Sequence, residues 1–61
     1  MEKLTYEECS FILTSLDYTR DKFENYNYPT YELRKERLKE VHDIMHKIQR
    51  MRKEVKHENR T

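Results

Sequence analysis

The 61-residue sequence has no glycine, no alanine and no tryptophan, and it has one proline and one cysteine. Without glycine there is no phosphate-cradling loop, no dinucleotide-binding turn and no nucleophile elbow, because each needs backbone conformations that only glycine takes cheaply. A lone Cys9 cannot close an intramolecular disulfide, and it excludes the usual single-chain structural zinc sites, which take several thiolates. The longest apolar run is Phe11-Ile12-Leu13, far below the roughly 20 residues of a membrane span. The opening MEKLTYEECSF lacks the apolar stretch of a signal peptide. These absences predict a soluble cytoplasmic protein with no membrane association. A chain this short makes one domain at most and buries little surface alone.

Charge is abundant but unevenly placed. Residues 1–31 carry six acids and three bases, while residues 32–61 carry six acids and ten bases. The basic excess is strongest from Lys47 onward, where Lys47, Arg50, Arg52, Lys53, Lys56 and Arg60 face only Glu54 and Glu58. Such a division favours self-complementary association, or an acidic partner for the basic end.

Leu4-Thr5-Tyr6-Glu7-Glu8-Cys9 reads as a helix start. The Thr5 hydroxyl can accept the N–H of Glu8 while the Glu8 carboxylate accepts that of Thr5, which is a capping box with Leu4 and Cys9 in the staple positions. Glu7 and Glu8 also suit the positive field of a helix N-terminus. Cys9, Ile12, Leu16, Thr19, Phe23 and Tyr26 then recur at alternating steps of three and four, which is a helical seam. We read Leu13 as widening this seam on one flank and Phe11 with Tyr18 on the other, with Tyr26 in the core. Asn25-Tyr26-Asn27-Tyr28-Pro29-Thr30 breaks the pattern, since proline lacks an N–H and restricts the residue before it, while asparagine favours turns. Thr30 can cap a second helix with Glu32 in its first turn. That helix has the seam Leu38, Val41, Met45, Ile48 and Val55, flanked by Ile44 and Met51, and Asp43 stands four residues from Lys47, a spacing for a surface ion pair.

The expected architecture is all-α: an antiparallel hairpin of helices at about 5–26 and 31–57, ~33 and ~40 Å long. Position 5 would then lie opposite about position 51, with the basic segment from Arg52 onward projecting past the first helix and the end fraying from about residue 57. The whole chain, 1–61, is read as one helical-hairpin domain. Ordering each residue costs roughly 1.5 kcal/mol, and a lone hairpin would leave Phe11, Leu13, Tyr18, Ile44 and Met51 largely wet. We therefore expect pairing of two chains into a four-helix bundle, with Cys9, Ile12, Leu13, Leu16, Phe23, Leu38, Val41, Ile44, Met45, Ile48 and Met51 forming the core and dimer contacts.

Few constellations point to chemistry. His42 and His46 share one helical face at a chelating spacing, and in the expected register Cys9 falls near position 47. H-x-x-x-H without the glutamate of H-E-x-x-H is a weak motif, however, and Cys9 belongs to the seam while His46 points away from it. No metal or cofactor is expected. A cysteine nucleophile needs an oriented base and an oxyanion hole in a cleft, which two helices do not provide. The carboxylate pairs Glu7/Glu8 and Glu36/Glu40 have no pocket to shift their ionisation, so they read as solvated faces. The basic segment is the stronger candidate. Arg50, Lys53 and His57 share a face, as do Arg52 and Lys56, and such rows can track phosphates. Glu54 and Glu58 interrupt them, and Arg50 can instead pair with Glu54. At the turn, Tyr28 and Tyr31 can either pack over the loop or meet a partner.

The stretch LTYEECSFILTSLDYTRDKFENYNYPTYELRKERLKEVHDIMHKI, about residues 4–48, resembles the short uncharacterised helical-hairpin proteins of phages and mobile elements of low-GC Gram-positive bacteria. The likeness lies in the capped first helix, the Tyr/Pro turn and the "ERLKEV…KI" second helix. It implies a small accessory protein that binds a host or phage macromolecule, often as an inhibitor, in the host cytoplasm. The resulting expectation is a non-enzymatic protein-binding module that occupies a surface of a larger protein, with Tyr28, Tyr31, Arg50, Arg52 and Lys53 as contacts. The alternatives are a nucleic-acid-binding regulator using the same basic end, and a structural assembly subunit.

Overall fold

The structure is a computed structural model that describes residues 2–58, and the side chains of 2–55. It is an all-α antiparallel hairpin of two helices, α1 (Tyr6–Asn25) and α2 (Tyr31–Glu58). The molecule measures 50 × 19 × 16 Å.

Local chemistry sets each helix boundary. Thr5 is extended, at φ −78° and ψ 168°. Its Oγ1 accepts the N–H of Glu8 at 3.1 Å, while a Glu8 carboxylate oxygen accepts the N–H of Thr5 at 2.8 Å. The expected capping box is therefore present, and two donors that a helix start leaves unsatisfied are met. At the other end Tyr26 turns extended, and its N–H donates to the Phe23 carbonyl at 3.4 Å. The Asn25 amide donates to the Asp21 carbonyl at 2.8 Å. Thr30 caps α2, with its hydroxyl accepting the N–H of Leu33 at 3.1 Å and its carbonyl that of Arg34 at 3.3 Å. Among the described residues none has positive φ. The connection turns without the left-handed conformations that favour glycine, which this chain lacks.

Arg34 straps the turn, with Nη2 donating to the Glu24 carbonyl at 3.5 Å. This places a cation at the negative end of α1, where unsatisfied carbonyls point. Above the turn the two seams meet. Cys9, Leu13, Val41, Met45 and Ile48 form the buried core, and Leu4, Ile12, Leu16, Phe23 and Met51 pack partly buried against it. Leu38 is half-buried. The staple role read for Leu4 matches its place over this cluster.

Several expectations are corrected by this packing. Leu13 is buried within the single chain rather than left wet. Phe11 and Tyr18 do not flank the seam, being 74 % and 71 % exposed. Phe11 lies two residues from Cys9, a rotation of about 200° on a helix of 3.6 residues per turn, and Tyr18 repeats that position seven residues on, so both stand on the outer face of α1. Tyr26 is not core but 63 % exposed, because α1 has ended one residue earlier and the extended backbone swings the ring outward. Ile44 stays exposed in the single chain, at 44 %, as expected of a lone hairpin, whereas Met51, expected to be wet, packs partly buried against the core. Asp43 pairs with Lys39 rather than Lys47, at 2.7 Å. The end expected to fray lies outside the described residues, apart from the helical backbone of 57 and 58.

Candidate functional site

The rhythm of α2 explains the most polar feature of the hairpin. Starting from Val41 and stepping by four and three gives Met45, Ile48, position 52 and Val55. The slot at 52 holds arginine, so its side chain is carried toward α1 by the same register that buries its apolar neighbours. Arg52 is half-buried. Its Nη1 donates to Ser10 Oγ at 3.1 Å, and its guanidinium carbon lies 5.3 Å from the centroid of the Tyr6 ring, a cation–π distance. Arg52 therefore does not project past α1, as the sequence reading had it, but folds back across the first two turns of that helix. The skipped seam slot was the sequence signal for this contact.

Around this arginine the two helices form an open groove of about 450 Å³, lined by Tyr6, His46, Gln49, Arg50, Arg52 and Lys53. Two guanidinium groups and one ammonium converge there, and none of the described lining side chains is acidic. The ion pairs among the described residues include Arg20–Asp17 at 3.2 Å, Arg37–Glu40 at 3.0 Å and Lys39–Asp43 at 2.7 Å, each of these within one helix. No described carboxylate pairs with Arg50, Arg52 or Lys53, and the alternative Arg50–Glu54 pair does not form. The side chains of Lys56 and His57, read as extending the two basic rows, lie outside the described residues.

The other candidates separate from this groove. Tyr28 is half-buried, and its ring meets that of Tyr26 edge-on at 4.8 Å and 67°, whereas Tyr31 is exposed. Tyr31 and Arg50 lie 19 residues apart on one helix, a distance of about 28 Å at 1.5 Å per residue. Tyr28 and Tyr31 therefore occupy the closed end of the hairpin and Arg50, Arg52 and Lys53 the open end, and the five expected contacts do not make one surface. The His42 and His46 rings meet at a tilt of 43° with centroids 4.3 Å apart. Cys9 is sealed in the core, and among the described residues no group of three or more histidine, cysteine or acidic side chains is placed to hold a metal ion. Midway along α2 the hydrogen bond and charge of Asp43 raise the Lys39 ammonium above its ordinary pKa, and the hydrogen bond from Lys39 holds the Asp43 carboxyl below its own. Among the described residues no helix is long and apolar enough to cross a membrane.

The chain matches no protein-family model, and no curated protein and no solved structure is similar to it.

Proposed function

We propose that this hairpin is a non-enzymatic protein-binding module that pairs with a second copy of itself and docks on a larger protein, acting by occupying its surface. The observation that carries the reading is an apolar flank left half open by the hairpin. On α2, Ile44 and Met51 stand on the opposite edge from Gln49 and Lys53; on α1, Ile12 stands on the opposite edge from Tyr6. Tyr6, Gln49 and Lys53 share the basic groove, so Ile12, Ile44 and Met51 share the other side of the molecule. Ile12 and Met51 are half-buried there and Ile44 is exposed. A second hairpin laid on this flank would bury all three.

Sedimentation equilibrium at micromolar concentration tests the pairing. The expected mass is twice 7.7 kDa, falling to that of one chain in Ile44→Glu with helicity retained. A wild-type chain that sediments as a monomer would overturn the pairing, and growth beyond a dimer would favour an assembly subunit.

A second reading, a nucleic-acid-binding regulator, is favoured by one observation: Arg50 and Lys53 are exposed and carry no described counter-charge. Joint replacement of Arg50, Arg52 and Lys53 by alanine should then abolish a DNA mobility shift and reduce its salt dependence. Absence of any shift at low salt rejects this reading.

A further inference from the structure

We infer that the groove at the open end is a receptor for a side-chain oxyanion on an acidic segment of the partner protein, with Arg52 as its fixed point. This inference rests on the protein-binding reading and names the chemistry of the partner. Arg50, Arg52 and Lys53 bring three positive charges to one groove that no described carboxylate lines. Like charges gathered without a counter-ion repel one another, and a bound anion relieves that repulsion. Arg52 is already placed to receive one. Ser10 and the Tyr6 ring hold its guanidinium in position, while Ser10 takes only one of the five N–H donors such a group carries. A planar fork held in place loses little side-chain entropy when it closes on a carboxylate in bidentate fashion. The Gln49 amide and the exposed cations of Arg50 and Lys53 surround it with further donors.

The shape of the positive region selects a compact anion over a polyanionic backbone. Nearer the turn, the outer face of α2 carries a second groove lined by Glu36, Arg37, Lys39, Glu40 and Asp43. Its cations are already engaged, Arg37 with Glu40 and Lys39 with Asp43. Beyond Lys47 the charge toward the turn is mixed rather than a continuous basic track, whereas a nucleic acid presents a phosphate at every step and is held by cations along its path. An acidic peptide needs only the local cluster.

The test is fluorescence polarisation with the full chain and a labelled short oligoglutamate, set against single-stranded and duplex DNA of matched charge. Oligoglutamate is expected to bind in preference to DNA. Arg52→Gln should weaken it by about tenfold or more, the loss expected for hydrogen bonds to a charged group. Arg52→Lys should fall nearly as far, because it keeps the charge and loses the fork. Lys47→Gln, outside the groove, should leave binding within twofold. Should Arg52→Gln lose its helical circular dichroism, the exposed pair Arg50→Gln with Lys53→Gln carries the same expectation. No oligoglutamate binding at low salt, equal loss in Lys47→Gln, or a preference for DNA would each overturn the inference. A monomeric chain that still binds oligoglutamate would remove the pairing and leave the groove standing, and a dimer that ignores oligoglutamate would do the reverse.

Discussion

Arg52 occupies a position where the helix register calls for an apolar side chain, and stability and binding pull against each other there. A leucine at 52 would continue the line from Ile48 to Val55 and bury its side chain against α1. Arg52→Leu is expected to stabilise the hairpin by about 1 kcal/mol and, for a chain of this size, to raise Tm by roughly 4–8 °C. The same variant should abolish oligoglutamate binding, and a thermal melt and a polarisation titration on one preparation check both halves. At the start of α1 the sign is opposite. Thr5→Ala removes the hydroxyl that accepts the N–H of Glu8 and should cost about 1 kcal/mol, measured as a lower Tm at fixed chain concentration. The Lys39–Asp43 pair gives a smaller effect with a defined pH window. Since the Asp43 carboxyl titrates below its ordinary 3.8, its contribution is present above that value and is lost as pH falls through the lower, folded-state pKa. Lys39 titrates above its ordinary 10.5, so its contribution is present below that value and is lost as pH rises through the higher one. Asp43→Asn should therefore melt slightly below wild type near neutrality, and the gap should close in strong acid. Added salt should close it too, because both side chains are exposed.

At the scale of the helices, the seams divide residues that look alike in composition. Leu13 is buried among Cys9, Val41, Met45 and Ile48, while Phe11, two positions earlier, faces away. Leu13→Ala is expected to cost 2 kcal/mol or more, about the lower end for a core leucine, and Phe11→Ala less than about 0.5 kcal/mol, a contrast that urea titration of the two variants resolves. The helix limits, both threonine caps and the turn were legible in the sequence because each depends on neighbours within four residues. The seam of α1 was legible in part. Cys9, Ile12, Leu16 and Phe23 fall in step, but Phe11 and Tyr18 were drawn to the seam by their hydrophobicity although their angular position opposes it. Tyr26 was misplaced for a different reason, since the seam rhythm reaches it but the helix stops at Asn25. The contacts of Arg52 with Ser10 and Tyr6, and hence the groove, were illegible in any single stretch. They join positions 42 and 46 residues apart, and they exist only once the register between the helices is set.

At the scale of the whole molecule, the hairpin has two unlike sides and two unlike ends. One side carries the basic groove and the other the apolar flank of Ile12, Ile44 and Met51, so pairing through the flank leaves the groove free. Ile44→Glu should accordingly separate the chains without changing oligoglutamate affinity by more than twofold, while Arg50→Gln with Lys53→Gln should weaken that affinity and leave the sedimentation mass unchanged. The closed end bears Tyr26, Tyr28 and Tyr31 and the open end Arg50, Arg52 and Lys53, which gives the hairpin a direction along its 50 Å length.

The single short turn has a further consequence, for the rate at which this fold is reached. Every contact between the helices nests around the link from Asn25 to Tyr31, so chain ends need search for no distant partner. Closing so short a loop costs little entropy, and chains dominated by such nested contacts fold in microseconds to milliseconds. Assembly can zip outward from the Arg34–Glu24 strap and Phe23, through Leu16 and Met45, to Cys9. On that route the Arg52 crossing at the open end forms last, so the groove is completed only when the whole register between the helices is in place.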